Sequence, residues 1–250
     1  MSPKPSQNRI LSALPLADWE RLSPQLEWLE MPAGTLLHEA GSLLKHVYFP
    51  VTAVVSLIST MRSGAAAEVA VVGNEGMVGV CAFMGGAPSL SSAVVQGSGY
   101  GLRMGATALR TQSQRSEPLM QQLLRYTQAL FAQMAQTSAC NRHHGLDQQL
   151  CRWLLLHLDR QQGNEMVITQ ERIAAMLGVR REGVTGGALK LQKAGLISYG
   201  RGRLTVLDRR GLEARSCECY AITCGADAIG HRAGSKPPPV LQIRKQAQAM

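Results

Sequence analysis

Residues 169–208 read TQERIAAMLGVRREGVTGGALKLQKAGLISYGRGRLTVLD, and this stretch decides how the C-terminal half folds. Thr169 stands where a hydroxyl can accept an orphan backbone N–H, capping a helix whose inward face is Ile173, Ala174 and Leu177. Gly178 ends that helix, and Val179 and Arg180 make the turn. A second helix is expected from Arg181 to about Lys193, with Val184, Ala188 and Leu191 at i, i+4 and i+7 facing the core. Small Ala174 lets the two helices approach. After Gly195, LISYGRGRLTVLD reads as two short strands joined by a basic turn. The predicted unit is a helix-turn-helix followed by a wing, with Arg181, Glu182, Thr185, Gly186 and Leu189 on the outer face of the second helix.

Charge singles out the same region. The chain carries a net charge of +9. Residues 1–115 hold eight Lys/Arg against seven Asp/Glu, and residues 116–168 balance four against four. Residues 169–213 hold nine against four, and the tail from 214 adds five against two. An excess confined to the C-terminal end points to a polyanion partner for that end. Nucleic acid ranks ahead of membrane there, because no basic surface helix with large apolar anchors is apparent.

The chemistry follows from groove geometry. An arginine near the start of a recognition helix can fork onto guanine O6 and N7, and a glutamate can accept from cytosine N4. Arg181 and Glu182 are the candidates for these base contacts, and Thr185 can touch a thymine methyl or a phosphate. Thr169, Gln170, Arg180, Lys190, Arg201 and Arg203 are the candidates for the sugar-phosphate backbone, whose contacts position a protein without specifying sequence. Gly186 and Gly187 sit inside the second helix and each costs roughly 0.8 to 1 kcal/mol relative to alanine, so Gly187→Ala is expected to raise thermal stability.

The N-terminal half has another texture. LEWLEM, HVYFPVTAVVSLIST, AEVAVVG and SAVVQGSGYGLRM alternate with glycine punctuation, the pattern of an antiparallel barrel or sandwich, and LADWERL suits a short helix before the first strand. From Ser116 the period becomes helical. Leu119, Leu123, Tyr126, Leu130, Gln133 and Thr137 alternate by fours and threes, the seam of a two-helix packing, while Leu124, Phe131 and Met134 widen the stripe enough to cover a barrel. Periodicity alone leaves a core helix and a dimerisation helix equally open. After NRHHG, residues 147–159 form another helix with two apolar faces.

The stretch TQERIAAMLGVRREGVTGGALKLQKAGLISYGRGRLTVLDRRGLE resembles the C-terminal winged helix-turn-helix of the Crp/Fnr family of bacterial transcription regulators. The barrel and long helix are similar to that family's effector domain and dimer helix, and the likeness spans roughly residues 10–215. The resemblance implies an α+β chain: a cyclic-nucleotide-binding-like (cupin-like) antiparallel β-roll over 10–115, a dimerisation helix over 116–142, and a winged helix-turn-helix over 143–215. Residues 216–250, with GSKPPPVLQIRKQAQAM at the end, read as a disordered basic tail. It further implies a homodimer on a pseudo-palindromic double-stranded DNA site, with RNA polymerase as a partner if the chain activates and room for a small-molecule effector. The dimer seam then falls in the C-terminal part of the long helix. Where well-studied members carry a further arginine four residues after the one matched by Arg181, this chain has Thr185 and Gly186.

The same resemblance sharpens the reading of the barrel. Cyclic-nucleotide-binding members hold the ribose with a Gly-Glu pair and the phosphate with an arginine. VGNEGMVGV places Glu75 near the ribose position, but LSSAVV puts Ser91 where the arginine would stand. No tight cyclic-nucleotide binding is therefore expected, since a buried anion needs a cation. Nor is an iron-sulfur cluster, because the family's redox members group cysteines near the N-terminus and the first here is Cys81. His38 and His46 suit surface or core positions better than haem ligation.

Cys217, Cys219 and Cys224 are read as plain thiols, with only the distant His231 to add, so no metal and no cofactor is expected. No catalytic constellation can be assembled, which argues against an enzyme. The rival reading is a cupin-like metal-dependent enzyme or ligand sensor fused to a binding module, but His38, Glu39, His46, Glu68 and Glu75 lack the HxH spacing such a site needs. A second rival docks a protein rather than DNA. No run approaches the roughly 18 apolar residues of a membrane span, and MSPKPSQNRI lacks the apolar core of an export signal, so a cytoplasmic protein without membrane contact is expected.

Overall fold

The computed structural model describes residues 7–229. Helices α1 (Arg9–Ser12) and α2 (Leu16–Leu22) lead into strands β1 (Glu27–Met31), β2 (Leu36–His38), β3 (His46–Pro50), β4 (Val54–Thr60), β5 (Ala66–Val72), β6 (Ser92–Gly97) and β7 (Gly99–Gly105). Then come α3 (Ala106–Arg115), α4 (Glu117–His143), α5 (Leu146–Leu158), β8 (Glu165–Val167), α6 (Gln170–Leu177) and α7 (Arg181–Lys193). The chain continues through β9 (Ile197–Gly200), β10 (Arg203–Val206), α8 (Arg209–Arg215) and α9 (Glu218–Ile229).

The N-terminal strands pair antiparallel, one sheet ordered β1-β7-β3 and the facing sheet β2-β6-β4-β5. Val55, Leu57, Val72 and Val95 from one sheet meet Met31 and Tyr48 from the other to form the roll's core. A second apolar cluster joins Trp19 and Leu22 of α2 to Phe49, Leu102 and Met104 and to Leu119 and Leu123 of α4.

Helix α4 begins where Ser116 Oγ accepts from the Leu119 amide at 3.1 Å, with Pro118 in the first turn. It lies directly on the roll. A Cβ at Gly76 would stand 2.1 Å from the Tyr126 ring, so only glycine permits this approach, and the Tyr126 hydroxyl donates to Met77 O at 2.9 Å. Strand β5 is the edge of its sheet, and Gln133 completes its ladder: the Val71 amide donates to Oε1 at 2.6 Å and Nε2 donates to Val71 O at 3.3 Å.

These contacts correct the expected dimer seam at Leu119, Leu123, Leu130 and Gln133. Leu119, Leu123, Leu130 and Gln133 are buried in the chain's own roll, Tyr126 is tied to Met77, and Thr137 is half-buried beside Arg152. The same threes and fours describe a helix covering a barrel and a helix pairing with a helix, and here the barrel takes that face. Left outward on α4 are Leu124 and Phe131, one heptad apart and 52% and 55% exposed.

The C-terminal half packs back onto the roll. Helix α6 lies on β5. Glu68 of β5 accepts from Ser56 Oγ and sits 3.1 Å from His157 Nε2 of α5, both side chains nearly inaccessible. Arg172 Nε donates to Gln96 Oε1 at 2.8 Å. Glu75 does not face the interior of the roll; its carboxylate pairs with Arg160 Nε at 2.6 Å and accepts from the Gly73 amide.

Residues 218–229 are also corrected: they form α9, packed on α4 and α5, with Cys217, Cys219 and Thr223 buried. The remainder of the expected tail, with His231, lies outside the described residues. No described helix is long and apolar enough to cross a membrane.

Candidate nucleic-acid interface

Helix α6 starts on Thr169, whose Oγ1 accepts from the Arg172 amide at 3.2 Å. It ends on Gly178 at φ 66° and ψ 32°, while the Val179 amide returns to Ala174 O at 3.0 Å. Val179 tucks against the core, so the chain reverses sharply into α7. Arg180 is the N-cap of α7 in extended conformation without a side-chain cap, so the start of this 13-residue helix keeps its positive dipole end without a capping side chain.

Between α7 and α5 the spacing is close. A Cβ on Gly187 would lie 3.1 Å from Leu150 Cδ2, and Leu150 is 1% exposed, whereas a Cβ on Gly186 meets nothing within 4 Å. The stabilisation expected of Gly187→Ala therefore belongs to Gly186.

The wing is a two-residue hairpin in which Gly200 pairs with Arg203, and the turn residues Arg201 and Gly202 have φ of 51° and 74°. Two positive φ values define a type I′ turn, where Asn-Gly is preferred. Arg201 is the non-glycine residue at positive φ among the described residues. Holding an arginine there costs about 1 kcal/mol and points a guanidinium from the wing tip.

Thr169, Gln170, Arg181 and Arg201 line one concave strip between the start of α6, the start of α7 and the wing. Arg180, Arg181 and Glu182 are exposed, while Thr185 is half-buried and donates its hydroxyl to Gln170 Oε1 at 2.7 Å. Lys190 and Arg203 stand outside the strip, paired with Asp147 at 2.8 Å and with Glu165 at 2.5 Å. Sequence reasoning missed Tyr199, which lines the strip and donates to Ile168 O at 2.8 Å. Burial pushes its phenol up to about 12, so it remains a donor. Its place in the strand before the wing turn was the available signal.

Comparison with known proteins resolves what carries this strip. The profile of the Crp-like helix-turn-helix domain matches residues 148–215, and that of the cyclic nucleotide-binding domain matches residues 28–116. The chain belongs to the Crp/Fnr family. It is a Crp/Fnr-type transcriptional regulator with a helix-turn-helix DNA-binding domain. Its fold is similar to that of a solved protein described as a transcriptional regulator of the family from Eubacterium rectale, with TM-score 0.67 and 19% identity over 84% of this chain and 98% of that one. FixK2 from Bradyrhizobium japonicum gives 0.63 and 14% over 77% and 98%. TTHA1359 from Thermus thermophilus, a transcriptional regulator of the family, gives 0.62 and 20% over 76% and 98%. A search of curated proteins returned no match.

In this Crp/Fnr chain the roll and α4 bound a half-open pocket of about 320 Å³, lined by Leu57, Val69, Met77, Leu130, Phe131 and Met134 together with His38, Ser89 and Ser91. No lysine or arginine lines it among the described residues. His38 Nε2 lies 3.1 Å from Ser89 Oγ, and burial lowers the imidazole pKa more than the Ser91 backbone contact raises it.

Proposed function

We propose that this regulator binds a pseudo-palindromic duplex as a homodimer, laying α7 of each copy in successive major grooves. Arg181 and Glu182 then read base edges and Thr185 supports them from its bond to Gln170. Thr169, Gln170, Arg180 and Arg201 grip phosphates beside the groove, with Lys190 and Arg203 further along the backbone. The observation that carries this reading is the strip itself, which gathers a capped helix start, an uncapped helix start, Arg181 and the Arg201 wing tip on one surface. The second copy is taken up through Leu124 and Phe131, the large apolar side chains that α4 leaves outward.

The pocket favours an apolar effector over a cyclic nucleotide, because no cation among its lining residues can meet a phosphate. Calorimetry with cyclic AMP is expected to show no binding at micromolar concentration; a micromolar affinity contradicts this.

DNA binding is tested by titrating the protein with operator-length duplexes at increasing salt. Four backbone cations per copy, Arg180, Lys190, Arg201 and Arg203, make eight in a dimer. The expected slope of log K against log salt is thus about −7. A slope near zero favours a regulator that docks a protein instead.

A further inference from the structure

We propose that Cys140, His144, Cys217 and Cys219 bind one zinc ion that fastens the start of α9 to the end of α4. Their ligand atoms all lie within 4.8 Å of one another. Cys140 Sγ is 3.5 Å from Cys217 Sγ, and Cys219 Sγ is 3.4 Å from His144 Nδ1. A tetrahedral zinc with bonds of about 2.3 Å to sulfur and about 2.0 Å to nitrogen separates its ligand atoms by roughly 3.5 to 3.8 Å. The four atoms thus stand near the corners one ion requires, and too close together to embrace a multi-iron cluster.

The set consists of two pairs. Cys140 lies in the last turn of α4 and His144 is the C-cap of that helix, its amide donating to Cys140 O at 3.0 Å, while Cys217 and Cys219 flank Glu218 at the start of α9. Sequence reasoning grouped Cys217 and Cys219 with Cys224 and lacked a second pair. The structure sends Cys224 towards Asp159, at 3.6 Å, and supplies Cys140 and His144.

The surroundings are those of a ligated ion. His144 presents Nδ1 inward while Nε2 lies 3.3 Å from Glu218 Oε2, the carboxylate-histidine arrangement that fixes a metal-binding imidazole. Gln136 Nε2 donates to Cys219 Sγ at 2.9 Å, as an amide does to a thiolate. Nearby, the buried Arg152 guanidinium donates to Thr137 Oγ1 at 3.0 Å and Thr223 Oγ1 at 3.4 Å, has no hydrogen-bond partner at Nε, and meets no carboxylate among the described residues. Zinc with three thiolates and a neutral imidazole carries a net charge of −1, the counter-charge this cation lacks. Because His144 is also the C-cap of α4, the ion would stiffen the joint leading to α5 and the DNA-binding domain.

The test uses the full chain, purified under reducing conditions without chelator or added metal. Elemental analysis is expected to give one zinc per chain, and cobalt(II) exchange to give the intense visible bands of a tetrahedral thiolate site. Cys217→Ser/Cys219→Ser should lose the metal, Cys224→Ser should keep it, and Glu218→Gln should weaken zinc affinity about 10-fold or more. Should the double variant fail to fold, the cobalt spectrum of the unaltered chain decides alone. The proposal is overturned if the reduced, folded protein takes up no stoichiometric zinc or cobalt, if Cys140 and Cys217 are isolated as a disulfide, or if Cys224→Ser abolishes binding. None of these readouts depends on DNA.

Discussion

Two adjacent glycines in α7 offer a sharp test of the packing, because they have the same intrinsic helix cost and different surroundings. A Cβ at Gly186 enters open space, so Gly186→Ala should recover the full helix preference of about 0.8 to 1 kcal/mol. For a chain of this size that corresponds to a rise in Tm of about 2 to 4 °C. At Gly187 the same gain is opposed by contact with Leu150 Cδ2 at 3.1 Å and Asp147 Oδ1 at 3.4 Å. Leu150 is packed in the core between α5 and α7 and must give by a few tenths of an ångström, so overpacking of about 1 to 3 kcal/mol is expected to offset or outweigh the gain. Gly187→Ala should therefore leave Tm unchanged or lower it by several degrees. Thermal unfolding followed by circular dichroism on both variants measures the order. If Gly187→Ala stabilises as much as Gly186→Ala, the close approach of α7 to α5 is refuted.

The outward stripe of α4 predicts that Leu124→Glu with Phe131→Glu yields a folded monomer in sedimentation, whereas Leu123→Glu, which buries a charge beneath the same helix, unfolds the roll. A dimer that survives the first pair of changes places the interface elsewhere. At the wing tip, Arg201→Asn relieves the positive-φ cost and should add up to about 1 kcal/mol of stability. The same change removes two phosphate contacts from a dimer and should lower the magnitude of the salt slope by about 2. An unchanged slope removes Arg201 from the interface.

Much of the architecture was legible because local rules and tertiary packing agree. Thr169, Gly178 and the Val184, Ala188, Leu191 face place α6 and α7 within a residue of their bounds. The strands of the roll follow their β-rich runs, and LADWERL is α2 in full. What was hidden depended on partners distant in sequence. The three-residue strands β2 and β8 are too short to carry a period, and polar α3 buries only Ala106, Leu109 and Ser113. The α4 stripe could be given to the roll or to a second helix, because spacing records that a face is covered, not by what. Glu75 reads as a ribose contact in the sequence, yet it pairs with Arg160, 85 residues away. Cys140 and His144 could not be matched with Cys217 and Cys219 until α9 was laid against α4.

The proposed DNA recognition requires α7 to read bases through Arg181. Its most direct test is selection of bound duplexes from a random pool by the unaltered protein and by Arg181→Ala, in parallel. The account predicts a mirrored pair of half-sites, with preference lost at one position in each half and about 1 to 3 kcal/mol of discrimination removed there. Recovery of the same sequences with the same affinity by both proteins contradicts it.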